Sequence, residues 1–379
     1  MTSRERIICA LNHKEADRVP IAFGGVHDSI HRDGEKALAA FYKFDYYETK
    51  IQDCFQQIVF PDKRLLDRFH SDVLPIHTKP RTGYSLDIVD EGKYTTYYDQ
   101  LGTKLRCPKD HGLYYDFEKC VLEDYTYEQL EKWQMPDPND EARLKNLKEE
   151  VQYLYEHTDK ALVLYSPIWG IFEQIYALRS IQVMYMDLAA DIKAIECIAQ
   201  KVLDWYLIFW PLCLKEIGKY VQVVQIGDDL GSQTGPLFNP KTYRDIFKWR
   251  HRELVDCIKA NTDAKVYYHG CGSMYEFIPD LIDVGVDILN PVQIQAKNMD
   301  SAKLKREFGK DLVFWGGGAN PVIMSQGSTS DVQQETKKRV LDFKTNGGFV
   351  FASIHNIQSD VSPQNVQTFF DTCLKYGNY

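Results

Sequence analysis

Val221-Gln-Val-Val-Gln-Ile-Gly227, followed by Asp228-Asp-Leu-Gly231, Asn239-Pro240 and Lys265-Val-Tyr-Tyr-His269-Gly-Cys271, is the stretch that decides the fold. The first and last runs are β-branched and aromatic, the composition of buried strands. Between them, Asn239 reads as a helix cap and Pro240 as the first helical residue. The apolar face of that helix is Tyr243, Ile246, Phe247, Leu254 and Cys257. Strand, helix, strand implies parallel pairing with a right-handed crossover. The same alternation extends in both directions. Candidate strands are Pro20–Gly24, Asp72–Ile76, Ala161–Ser166, Val221–Gly227, Lys265–His269, Asp287–Asn290, Leu312–Trp315 and Phe349–Ser353. Eight such units predict a (β/α)₈ TIM barrel, and no G-x-G-x-x-G opens a helix after any strand, which argues against a dinucleotide-binding sheet. A barrel needs about 250 residues. The surplus falls at about 81–160, where Tyr94–Tyr98 and Gly112–Tyr115 predict a strand-rich insertion after the second strand, followed by a helix near Asp140–His157. Ser3 is expected to cap a first helix carrying Ile7, Ile8 and Leu11.

Composition bounds the function. The chain has 379 residues with 44% hydrophobic and 13% aromatic content, too apolar for a disordered chain. A net charge of −9 and the lack of a basic run argue against nucleic acid or an anionic membrane as partner. The most apolar stretch, Val202–Leu214, is shorter than the roughly 20 residues a membrane span needs. Met1-Thr-Ser-Arg-Glu-Arg leads into no apolar signal region, and nine cysteines without framework spacing suggest reduced thiols. A cytoplasmic protein is expected, with residues 1–379 forming one barrel domain with its insertion.

Catalytic groups of a barrel gather at the C-terminal ends of its strands. Here those ends carry His27 and Asp28, His77, Trp169 and Glu173, Asp228 and Asp229, His269 and Cys271, Asn290, Gly316–Gly318, and His355 with Asn356 and Gln358. His269-x-Cys271 is the sharpest signal, because residues i and i+2 of an extended segment face the same side and can converge on one zinc ion. The plainer use is a core histidine beside a buried thiol. His355 is the better placed third ligand, since Cys373 falls in the final helix; its other use is to hydrogen-bond a neighbouring loop. Glu173 reads as ligand, base or helix first-turn acid. Of the adjacent acids, Asp229 is expected to face the site, with Asp228 as the structural neighbour. Gly316, Gly317 and Gly318 offer either backbone N–H groups for an anion or a tight turn. Asn356 is a further cofactor-binding candidate.

The opening Ser3-Arg-Glu-Arg through Ala10-Leu-Asn-His-Lys-Glu-Ala-Asp17-Arg-Val-Pro20 resembles the start of the uroporphyrinogen decarboxylase superfamily. So do His70-Ser-Asp72-Val-Leu, Gly227–Gly231 followed by Asn239-Pro-x-x-Tyr243, and His269-Gly-Cys271-Gly, so that the likeness spans about Ser3 to Phe369. The resemblance implies a (β/α)₈ barrel and one of two activities: porphyrinogen decarboxylation, or zinc-dependent methyl transfer with a corrinoid protein. Decarboxylases of this kind grip eight carboxylates with arginines in a Met-Arg-Gln-Ala-Gly-Arg stretch after the first strand. Here Ala22-Phe-Gly-Gly-Val-His-Asp-Ser29 has none. The methyltransferase branch implies His269 and Cys271 as zinc ligands, whereas His355-Asn-Ile-Gln stands where that branch places a further cysteine. One thiolate and two imidazoles leave zinc more electrophilic, which suits demethylation of a small methylated substrate such as an aryl methyl ether. No Asp-x-His-x-x-Gly cobalt-ligand pattern occurs, so the corrinoid (a cobalamin) is expected on a partner protein. The other readings are methyl transfer to a thiol, a metal-free decarboxylase of a porphyrinogen-like or smaller carboxylated substrate with Asp72 as the site acid, and an idle barrel that binds a corrinoid protein.

Overall fold

Seven buried segments pair side by side in parallel in a computed structural model describing Met1–Tyr379. They are β1 (Val73–Ile76), β2 (Ala161–Leu164), β3 (Val223–Gly227), β4 (Lys265–His269), β5 (Ile288–Asn290), β6 (Val313–Trp315) and β7 (Phe349–Val350). Their order follows the chain, as successive right-handed crossovers require. Near-continuous apolar runs such as Ala161-Leu-Val-Leu164 suit strands covered on both faces.

The eighth stave is irregular. Pro20–Gly24, expected as a strand, contributes only a bridge from Ile21 to Phe351. Pro20 has no N–H to donate, and Gly24 turns the chain away at φ +107°. The segment nevertheless closes the ring. Ala22 N donates to Phe351 O at 2.8 Å and Phe351 N to Pro20 O at 2.8 Å, while Asp72 N donates to Ile21 O at 2.7 Å. The structure is therefore a TIM barrel with seven regular strands and one loose one.

Asp72 secures that seam. Its carboxylate accepts from Ile21 N at 2.8 Å, from Arg6 Nη1 at 2.7 Å and from Arg18 Nη1 at 2.8 Å. It is fully buried and precedes β1, so it lies at the N-terminal mouth, opposite His269 at the end of β4. The expectation of Asp72 as a site acid is corrected: the residue opens its strand instead of ending it.

Two cores result. Val73, Val163, Val223, Tyr267, Ile288, Val313, Trp315 and Val350 fill the barrel's interior. A larger shell between strands and helices includes Ile195, Leu203, Tyr206, Phe209 and Trp210 of helix Ile192–Ile217. That helix absorbs the apolar Val202–Leu214 stretch and corrects the argument from length, since with 26 residues it is long and apolar enough to cross a membrane. Here 56% of its most apolar window is buried inside the protein.

The insertion is an antiparallel sheet of Val89–Glu91, Tyr94–Tyr98, Lys104–Pro108 and Asp116–Lys119. Gly112–Tyr115 is a loop leading into its last strand, and the following helix begins at Leu147, behind a 3₁₀ turn at Glu141–Leu144. Thr2, with Glu5 completing a capping box, caps the first helix, so Ser3 is its first helical residue. Asn239 does cap at Pro240, accepting from Lys241 N at 2.9 Å.

Candidate metal centre at the barrel mouth

His269 ends β4 in register with Asn290 at the end of β5. Asn290 Nδ2 donates to Trp315 O at 3.0 Å, which turns its Oδ1 toward His269 Nδ1 at 2.6 Å. An amide oxygen only accepts, so Nδ1 carries the imidazole proton and Nε2 presents its lone pair to the barrel mouth. That lone pair is 3.4 Å from Cys271 Sγ and 3.9 Å from Asp229 Oδ1. Asp229 also accepts from Cys271 N at 2.7 Å, holding the Cys271 turn against the loop after β3.

The adjacent acids diverge as extended backbone requires. Asp229 faces His269. Asp228 points the other way, fully buried, accepting from Glu173 N at 2.7 Å and sharing a hydrogen bond of 2.8 Å with His251 Nε2. Glu173 lies beside Asp229 and accepts from Tyr176 Oη at 2.9 Å.

Two sets of donor atoms, each within 4.8 Å of one another, meet at His269: Asp229–His269–Cys271 and His27–His269–His355. His27 is the residue to which the sequence assigned no role. The Gly24-Gly25 turn delivers it, and a side chain on Gly25 would collide with Tyr165 Oη. Its ring stacks on that of His269 with centroids 3.6 Å apart, and its buried Nδ1 has no hydrogen-bond partner. His355 enters from the loop after β7, its ring centroid 5.9 Å from that of His269. Cys271 and His355 each lie near His269, but in different groups of donor atoms. Cys373 lies buried in helix Pro363–Tyr376, away from this cluster.

The electrostatics favour a bound cation. Burial holds the His355 imidazole at about 4 and His27 well below its usual range, with neighbouring histidines adding to both shifts. Burial and then the Asp229 charge push the Cys271 thiol well up; burial, Asp229 and Asp228 do the same to Glu173. The cluster therefore holds neutral imidazoles with available lone pairs, a thiol and two closely spaced acids. A divalent ion reverses each penalty, stabilising thiolate and carboxylate while accepting imidazole nitrogen. Histidine, cysteine and carboxylate at one point are a donor set that zinc accepts.

Of the cofactor-binding candidates, Gly316, Gly318 and Asn356 already make hydrogen bonds within the protein. Gly316 N and Gly318 N donate to Val350 O and Ala352 O at 3.0 Å each, so they are spent on the neighbouring stave. Gly316 and Gly317 adopt φ of +93° and +77°, the tight turn that glycine permits. Asn356 is a buried clamp. Its Oδ1 accepts from Ser29 N at 2.8 Å, and its Nδ2 donates to Val26 O at 2.8 Å and Gln56 Oε1 at 2.7 Å.

A group of aromatic rings gathers around Trp169 and includes Tyr176, the partner of Glu173. Trp169, which follows β2, packs against Phe55 at 5.1 Å, Phe117 at 5.4 Å and Tyr176 at 6.0 Å between ring centroids. Tyr114, from the insertion, accepts from Gln358 Nε2 at 2.9 Å and is a charge neighbour of Cys271. The insertion thus forms one side of the mouth.

Residues 93–376, about three quarters of the chain, match the Uroporphyrinogen decarboxylase (URO-D) family. The chain belongs to this family. No curated protein matches it significantly. Among solved structures, a methyltransferase from Methanosarcina mazei is similar over 99% of both chains, with TM-score 0.67 and 14% identity, which shows a shared fold. A β-glucosidase mutant derived from a hyperthermophilic tetrameric structure reaches TM-score 0.42 at 12% identity over 95% of both chains.

Proposed function

We propose that this member of the uroporphyrinogen decarboxylase family is a zinc-dependent methyltransferase, moving a methyl group between a small methylated substrate, such as an aryl methyl ether, and a corrinoid carried by a partner protein. The observation that carries this reading is the His269 Nε2 lone pair, set by Asn290 and facing Cys271 and Asp229. Similarity of fold to a methyltransferase supports it. So does the lack of arginine in Ala22–Ser29, which leaves a polycarboxylate without bidentate partners. The metal-free decarboxylase reading loses its proposed acid, because Asp72 lies at the other mouth.

His269, Cys271 and Asp229 would hold the zinc, with His27 and His355 forming a second donor group around His269. Bound there, zinc supplies Lewis acidity toward an ether oxygen or amine nitrogen. Glu173, whose carboxyl is pushed well up by burial and then by its neighbours Asp229 and Asp228, is our candidate for the acid–base group of the site. Tyr176 holds the Glu173 carboxyl in position. Trp169, Phe55 and Phe117 offer ring faces for an aromatic substrate and exclude water. We place the reaction in the cytoplasm.

The test mixes the purified protein, a corrinoid protein reduced to Co(I) and a panel of methoxyarenes and methylamines, and follows the Co(I) absorbance. Its loss only when both protein and methyl donor are present supports the proposal. Reaction only between methylated corrinoid and a thiol reverses the direction. Release of CO₂ from a carboxylated substrate without methyl transfer overturns the proposal.

A further inference from the structure

Asp228 begins a second chain of hydrogen bonds, one that the proposed reaction does not use. It is fully buried, and each oxygen of its carboxylate has one partner: Oδ1 accepts from Glu173 N at 2.7 Å, and Oδ2 lies 2.8 Å from His251 Nε2. A carboxylate accepts only, so Nε2 carries the imidazole proton. In the neutral ring Nδ1 then offers a lone pair, and the buried Tyr243 hydroxyl stands 3.1 Å from it as donor. Tyr243, His251 and Asp228 thus pass one hydrogen bond to the next, as far as the backbone of the helix that bears Glu173.

Local features on both sides make this chain possible. Helix Ile171–Arg179 begins at Gly170, which has no side chain to cap it, so Asp228 caps it from the neighbouring stave. A Cβ on Gly170 would run into Gly227 O and the Asp228 carboxylate, so glycine is what lets the two segments approach this closely. Tyr243 and His251 are eight residues apart, which on a regular α-helix leaves them about 80° apart around the axis. A π turn at Tyr243–Phe247 takes up that offset with its wider coil and sets both side chains on one face. The same aspartate is tied to the zinc donors. Asp228 N donates to His269 O at 2.9 Å, and the next residue, Asp229, accepts from Cys271 N at 2.7 Å and lies 3.9 Å from His269 Nε2.

We propose that His251, backed by Tyr243, is a positioning residue of the metal site: by pinning the Asp228 side chain it fixes the Asp228–Asp229 turn, and with it the aim of Asp229 at His269. The inference rests on the zinc site of the methyltransferase reading and adds to it a residue that touches neither metal nor substrate. Adjacent side chains of an extended segment point to opposite faces and turn together, so an Asp228 released from His251 lets Asp229 swing away from His269. Partners outside the ligand shell orient ligands in this way.

The experiment compares the full-length wild type with His251→Phe, His251→Gln and Tyr243→Phe. Zinc affinity is read by competition with a chromophoric chelator, the arrangement of the ligands by the absorption bands of the Co(II)-loaded protein, and stability by the urea midpoint. Asp72→Ala, which breaks a buried charge network at the other mouth, is the control for general destabilisation. His251→Phe is expected to bind zinc about tenfold more weakly and to shift the Co(II) bands. Tyr243→Phe should lose less, and His251→Gln, whose amide can still donate to Asp228, should stay near the wild type. Wild-type affinity and bands in both His251→Phe and Tyr243→Phe overturn the positioning role, as does an equal loss in Asp72→Ala. If His251→Phe does not fold, Tyr243→Phe decides alone, and wild-type affinity there overturns the proposal. The expected order of affinities, with no methyl transfer by the wild type from the methoxyarenes and methylamines, keeps the positioning role and overturns the methyltransferase reading. No zinc bound by the wild type overturns both.

Discussion

Asn290 Oδ1 and His269 Nδ1 lie 2.6 Å apart, and this one hydrogen bond determines which nitrogen of the histidine faces the barrel mouth. Because Asn290 is itself turned by Trp315 O, the imidazole tautomer is set by backbone two staves away. Outer partners of this kind typically contribute 10- to 100-fold to metal affinity. Asn290→Ala should weaken zinc binding by about that factor without unfolding the barrel, as measured by competition with a chromophoric chelator. Unchanged affinity would contradict the orienting role.

Asp72 gives the opposite pattern. It joins Arg6, Arg18 and Ile21 N at the seam, and removing one partner of a buried charge network costs about 3–5 kcal/mol. Asp72→Ala should lower the urea midpoint accordingly while the folded fraction keeps its full zinc content. Loss of zinc at unchanged stability would return Asp72 to the site.

Much of this was legible in the sequence. Strand ends could be read because β-branched runs stop at polar residues, so the placing of His269, Cys271, Asp229 and His355 near one another could be anticipated from position. Asp72 was misread because it stands at the start of its run, and a parallel strand places start and end on opposite mouths. His27 received no role, although the rule that found His355 applies equally to a histidine following Gly24-Gly25. Asn290 and Tyr114 act through contacts between distant segments, and a single sequence carries no local mark of those. The glycine run left two uses open, and only the hydrogen bonds of Gly316 and Gly318 decide for the turn.

Asn356 should behave as a clamp. Asn356→Ala leaves Ser29 N–H and Val26 C=O without their partner, at a cost of about 1–3 kcal/mol. Thermal unfolding should shift down, with zinc content unchanged. A loss of zinc or of corrinoid-protein affinity at native stability would restore a binding role.

The buried histidines set an acid limit. Burial lowers His77 to about 4, and His355 is also held at about 4 by burial and His269. Unfolded histidine titrates near 6.5. Between those values the unfolded chain binds protons that the folded one refuses, so stability is fully present above about pH 6.5 and is lost as pH falls toward 4. Urea midpoints of the zinc-free protein should decline over that window, and His77→Gln should flatten the slope by about one proton. A slope unchanged in His77→Gln would contradict the assignment.

The central claim is that His269, with Cys271 and Asp229, holds a zinc ion at the barrel mouth. It is tested most directly by metal analysis of the purified wild type beside His269→Ala and Cys271→Ser, each shown to be folded by circular dichroism. The account predicts about one equivalent of zinc in the wild type and a sharp loss in both variants. Zinc retained at the wild-type level in both variants would contradict it.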